Sequence, residues 1–205
     1  VTDSARRTQR SVRLLSLAAT GAIALVALYL LRPDSTAMQF PEQIRTMAEP
    51  VLTAVDVTTV MAATVVLSVV AMIRRLSYGV AAVLTLTVGA NLGSALVRVW
   101  ADGAPEAILP SGHVVAAMAV YSTGLLVASP RFKPVVSGLG AVVVLAVVAA
   151  SLASEPVGLP GIAAAGTITA IWWAVASIIM VYSPIAAERE RQRPDPAAMA
   201  LVRHR

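Results

Sequence analysis

At 205 residues the chain is long enough for one domain, and 58% hydrophobic against 13% charged residues is far from a soluble balance, so it reads as an integral membrane protein. No cysteine is present, which excludes a disulfide framework and a thiolate metal site. The formal charge of +5 is distributed between apolar runs as topology signals are, and nucleic-acid binding is set aside.

A hydrocarbon core about 30 Å thick needs ~20 apolar residues per helix. Six stretches meet that need, at 13–31, 51–73, 78–100, 111–129, 134–154 and 160–182. Residues 1–12 form a basic lead expected in the cytoplasm. The apolar run after them is read as an uncleaved first helix, because the small-residue candidate for cleavage, Ser35-Thr36-Ala37, follows Arg32-Pro33-Asp34. The connection at 32–50 is the longest, and Phe40, Ile44 and Met47 at helical spacing predict a short interfacial helix inside it. The third span carries Gly89-x-x-x-Gly93 and the sixth Gly161-x-x-x-Ala165, a spacing that lets helix backbones approach closely. Tight packing within the bundle is expected from both, in preference to a dimer face. Residues 183–205 form a polar, proline-punctuated tail expected in the cytoplasm and frayed after a turn or two; it holds His204.

The basic residues divide unequally between the two sides of such a bundle. Arg6, Arg7, Arg10, Arg13, Arg74, Arg75, Arg131, Lys133, Arg189, Arg191, Arg193, Arg203 and Arg205 fall on one side, and only Arg32, Arg45 and Arg98 on the other, with most of the acids. The positive-inside bias then puts both termini in the cytoplasm. The expected fold is an all-α integral membrane protein, a six-transmembrane-helix bundle over residues 13–182. The Ala/Val/Arg-rich composition suggests a bacterium and hence its plasma membrane.

Depth can be counted from the basic anchors at ~1.5 Å per helical residue. Asp56 lies 18 residues from Arg74, Arg98 lies 20 from Tyr78, and His113 lies 18 from Arg131, so all three reach the outer boundary. Ionisable residues at such depth tend to be paired or functional. An Asp56 to Arg98 ion pair is expected, either to lock the hairpin of the second and third spans or to serve a polar outer pocket. Pro110 ends the preceding loop, Ser111 is a favoured N-cap, and Gly112 leaves the first-turn amides uncovered. Such a helix start favours an anion. His113 sets beside it an imidazole, a group able to hold or give a proton near neutral pH.

The residues Pro110-Ser111-Gly112-His113 resemble the central motif of the type 2 phosphatidic acid phosphatase (PAP2) family, whose members also have six membrane helices, cytoplasmic termini and this segment at the outward start of the fourth. In that family the first motif is a lysine, six residues, then Arg-Pro. The third is Ser-Arg, five residues, His, three residues, Asp. The family's third-motif histidine attacks phosphorus, its aspartate orients that histidine, the lysine and arginines hold the phosphate, and the PSGH histidine protonates the leaving group. Laid on Ser151 to Ile162 without a gap, the third motif keeps Ser151 but meets Leu152 for the arginine, Gly158 for the nucleophile and Ile162 for the aspartate. The first motif has no lysine: a register from Ser94 gives Ala101-Asp102 for Arg-Pro, and one from Asn91 keeps Arg98 but follows it with Val99.

Losing a nucleophile with its orienter removes several powers of ten in rate. The resemblance therefore implies a degenerate PAP2-like protein that binds a lipid phosphate or phospholipid head group without hydrolysing it, an isoprenoid phosphate or phosphatidic acid being the ligands the family suggests. Ser111, Gly112, His113 and Arg98 are the expected phosphate-binding residues, with Asp56 in support and His113 as a residual acid or base. Neither cofactor nor metal is implied. Two alternatives stay open: a phosphatase with rearranged chemistry, with His113 as nucleophile oriented by Asp56 or Asp102, and a scaffold whose pocket is vestigial, as a homo-oligomer or with a membrane-protein partner. The charge split generates a topological prediction: reporter fusions at Glu155 and at the C-terminus report opposite sides of the membrane, the latter cytoplasmic. An external C-terminal fusion would overturn the orientation.

Overall fold

A computed structural model describes residues 3–33, 40–76 and 78–182. The cleavage candidate Ser35-Thr36-Ala37, the tail 183–205 and His204 lie outside the described residues. Helices form where the apolar runs stand: α1 (Asp3–Leu31), α2 (Glu42–Thr53), α3 (Val57–Ile73), α4 (Gly79–Trp100), α5 (Gly112–Val127), α6 (Lys133–Ser154) and α7 (Leu159–Val181), with one 3-10 turn at Glu106–Ile108. Five of these are long and apolar enough to cross a membrane, or six when α2 and α3 are taken as one broken span. The chain is thus a multi-pass helical membrane protein. The helix α1 begins at Asp3, so the basic residues Arg10 and Arg13 stand on the same helix as the apolar run that follows.

The second span departs from expectation. In place of one helix over 51–73, α2 and α3 meet at a bend of 41°. Pro50 inside α2 lacks the N–H that would extend the ladder. Asp56, with ψ at 162°, then begins a new helix as the N-cap of α3. The expected interfacial helix is present as the first part of α2, which packs on the end of α6: Ala48 meets Ala150 and Ala153, with Phe40 against the same cluster. Met47 faces away and is 79% exposed.

Among the long helices, α5 is the hub, packing on α3, α4, α6 and α7, while α7 also takes α1 and α4. Lipid tails are as apolar as leucine, so helices in a bilayer associate through close van der Waals contact, and small residues permit it. The core follows that rule: Ala90, Val114, Val115, Ala119, Val147 and Ala165 are buried together around α5. Hydroxyls inside the helices serve their own turns, as when Thr64, Thr87, Thr123 and Thr169 each donate to the carbonyl four residues back. At the basic end Arg75 takes a positive φ of 51° in the α3 to α4 turn. The same turn directs the Arg74 guanidinium to the carbonyl of Val127, capping the last turn of α5.

Both small-residue motifs are spent inside the bundle. Gly89 and Gly93 of α4 form the floor on which the Trp172 ring of α7 lies, and a Cβ at Gly93 would stand 2.7 Å from Trp172 Nε1. Gly161 lies under the loop before α5, where a Cβ would come within 2.5 Å of the Leu109 carbonyl oxygen, and Ala165 is fully buried. Gly89→Leu should therefore lower stability in detergent by ~1–3 kcal/mol, the usual range for overpacking. Trp172→Ala in the same chain should recover part of the loss. Equal thermal unfolding of wild type and Gly89→Leu would contradict this packing.

Candidate functional site

The segment between α4 and α5 is short of secondary structure, so its carbonyls need donors from elsewhere. Three helices supply them. Gly158 N–H, at the start of α7, donates to the Ala107 carbonyl at 2.8 Å. Tyr29 of α1 donates its hydroxyl to the Ile108 carbonyl at 3.2 Å, its ring held edge-on to Trp100 at 6.2 Å. Arg98, in the last turn of α4, donates through Nε and Nη2 to the Pro110 carbonyl at 3.1 and 2.6 Å. So tied, the loop delivers Ser111 to the start of α5, where its Oγ accepts from Val114 N–H at 3.3 Å. That same Oγ lies 3.3 Å from Ser151 Oγ, and both serines are fully buried.

Ser151 is one turn before the end of α6, and Glu155 follows as the C-cap residue. Its Oε1 lies 2.7 Å from His113 Nδ1. With the side chains 39% and 21% exposed, this His113 to Glu155 pair is partly shielded, and Glu155 Oε2 is buried with no hydrogen-bond partner among the described residues. Beside the pair runs a groove of about 860 Å³ between α3, α4 and α5. Its polar end is bounded by Asp56, Arg98, Gly112, His113 and Glu155, and its length by aliphatic side chains that include Val60, Met61, Leu84 and Val88. The volume is in the range of ligand pockets, ~300–1,000 Å³.

Of the residues singled out in the sequence, Asp56, Arg98, Gly112 and His113 thus share one groove, while Ser111 is buried behind it as cap and bridge. The expected Asp56 to Arg98 ion pair is not formed. Asp56 accepts from Thr58 Oγ1 at 3.3 Å, and the two salt bridges among the described residues are Arg45 to Glu42 and His113 to Glu155. Nor do Asp56 and Asp102 orient the histidine; Glu155 does. Glu155 was missed because a count of depth tells how far an acid reaches, not which way round the bundle it faces. Its one available signal was its place four residues after Ser151, the serine that the third motif keeps.

The positions where the family carries its remaining machinery are used here for packing. A Cβ at Gly158 would lie 3.1 Å from the Ala107 carbonyl oxygen, Ile162 packs against the α5 core, and Ser94 and Ala101 are buried. Fold and site together define a multi-pass helical membrane protein with a polar-headed groove at one end. Compared with protein-family models, with characterised proteins and with solved structures, the chain matches none. The likeness to the PAP2 family accordingly rests on the four residues of the PSGH segment and the order of helices.

One double-mutant cycle and one single substitution probe the local energetics. In a double-mutant cycle, His113→Ala and Glu155→Ala should couple by ~1 kcal/mol in unfolding experiments, a partly exposed pair being screened. Arg98→Gln should destabilise by ~1.5–3 kcal/mol, because the buried Pro110 carbonyl loses a charged donor. Additivity in the cycle would dissolve the pair.

Proposed function

We propose that the protein binds a phospholipid, with its head group at Arg98, His113 and the first turn of α5 and an acyl chain along α3 and α4, and does not hydrolyse it. The observation that carries this reading is the groove itself, mostly aliphatic along its length, where Thr64, Ser68, Thr87 and Asn91 are interspersed, and charged at one end. Arg98 spends Nε and Nη2 on Pro110, yet keeps donors for a phosphate oxygen. The first-turn amides of α5 add a favourable dipole.

Charge refines the choice of head group. Arg98 and His113 share the end of the groove with Asp56 and Glu155, so a phosphomonoester dianion such as phosphatidic acid or an isoprenoid phosphate meets two carboxylates as well as two bases. A phosphodiester that also carries an amine suits four such groups better: its phosphate faces the bases and its ammonium the acids. Hydrolysis is disfavoured because one arginine, already engaged, is all that remains of the family's phosphate clamp.

A second reading has one observation in its favour. With Nδ1 held by Glu155, the free ring nitrogen of His113 is Nε2, and a carboxylate-oriented imidazole is the arrangement a nucleophilic or general-base histidine uses. Release of phosphate from phosphatidic acid by purified protein, abolished by His113→Ala, would establish that reading and end the first.

On the binding reading, purified protein in neutral detergent retains phosphatidylethanolamine in preference to phosphatidic acid. Arg98→Gln lowers that affinity roughly tenfold to a hundredfold, the worth of a charge-assisted hydrogen bond. Thermal stability is measured beside affinity, since Arg98 also holds Pro110. Equal retention of both lipids by wild type and Arg98→Gln would remove the proposal.

A further inference from the structure

A second cavity opens at the other end of the bundle. It measures about 720 Å³ and lies among α1, α5, α6 and α7. Its existence follows from helix packing: α6 and α7 both pack on α5 but scarcely on each other, leaving a gap with α5 at its back. Gly166 borders the gap, and a Cβ there would make no more than an ordinary van der Waals contact with Met118 Sδ at 3.9 Å. The wall is mostly apolar, built from residues such as Met118, Leu125, Val144 and Met180. Two cations, Arg10 of α1 and Lys133 at the start of α6, line it, and no acidic side chain among the described residues does.

A further polar group faces the same space. Ser177 of α7 lines the cavity, is only 6% exposed, and its Oγ has no hydrogen-bond partner among the described residues. A buried hydroxyl left unpaired is costly. Tyr121 and Trp173 also line the cavity, with amphipathic rings of the kind that settle at lipid head groups. The Tyr121 ring is fixed in place by lying over Gly140 of α6.

From these we infer that the cavity is a site for an anionic membrane phospholipid, its phosphate between Arg10 and Lys133 and one acyl chain against the apolar wall. A soluble anion would find two cations but would leave that wall uncovered. A zwitterionic lipid would bring an ammonium to an end where no carboxylate among the described residues faces it. The charge is thus opposite in character to that of the groove at His113, where acids and bases are balanced, and the inference stands independently of the groove.

The test is native mass spectrometry of the full chain in neutral detergent, with added dioleoyl phosphatidylglycerol or dioleoyl phosphatidylcholine. In the Arg98→Gln background, which weakens the groove at His113, the chain should hold one phosphatidylglycerol and release phosphatidylcholine. The Arg10→Gln, Lys133→Gln double variant should weaken phosphatidylglycerol about thirtyfold, at ~1 kcal/mol per basic residue. Ala170→Trp, which fills the cavity and keeps both cations, should abolish the adduct; if only the charge variant has an effect, the lipid is adsorbed at the surface and the inference fails. Displacement by millimolar inorganic phosphate, or equal retention of phosphatidylcholine in the Arg98→Gln background, also overturns it. An adduct lost in Arg98→Gln belongs to the groove and counts against the second site. Should Ala170→Trp not fold, quenching decides: brominated phosphatidylglycerol should quench tryptophan fluorescence more than brominated phosphatidylcholine, and the difference should vanish in Trp173→Phe. No difference in the wild type overturns the site.

Discussion

The guanidinium of Arg98 on the Pro110 carbonyl is the contact that the His113 end of the molecule depends on. A buried backbone carbonyl without a donor costs ~1–3 kcal/mol, whereas an ion pair with an exposed carboxylate is worth ~0–1 kcal/mol. Pro110 is buried and Asp56 is exposed. Arg98 therefore goes to the carbonyl, and Asp56 is left to cap α3. With Pro110 anchored from α4, Ile108 from α1 and Ala107 from α7, the start of α5 has no freedom to rotate. That fixes the contact between Ser111 and Ser151, and through α6 it brings Glu155 to His113.

Much of this was legible in the residues. Apolar length and the basic anchors located the helices, and depth counting put Asp56, Arg98 and His113 at one level, where they do line one groove. Periodicity around Phe40, Ile44 and Met47 found α2. What could not be read was orientation about the helix axes and the demands of the loop. Charge complementarity alone joined Asp56 to Arg98, because the competing acceptor, a backbone carbonyl, is the same in every residue and leaves no mark in a sequence. The break at Ala54 to Asp56 was hidden for a similar reason. The run from Val51 is apolar enough to pass for the start of one helix, and only the bend of 41° shows that Val51 to Thr53 belong to α2, whose axis turns away from α3.

The small residues that make the bundle also decide where it is hollow. Where a glycine has a partner ring, as Gly89 and Gly93 have Trp172, two helices come together. Gly166 has no such partner, and a cavity stands beside it. The two ends of the molecule differ accordingly in more than net charge. Among the described residues, one presents acids and bases in equal number beside a helix start; the other presents cations alone above an apolar gap.

The groove at His113 is walled by α3, α4 and α5 on one side only, and residues along it such as Met61 and Leu92 remain largely uncovered by protein. A ligand with an acyl chain can enter sideways from the leaflet without its chain passing through water. Its approach is then a search in two dimensions, and the quantity that governs occupancy is its mole fraction among neighbouring lipids. On the proposed lipid-binding reading, aqueous solubility has no part in that balance, and a change in bilayer composition alone suffices to fill or empty the groove.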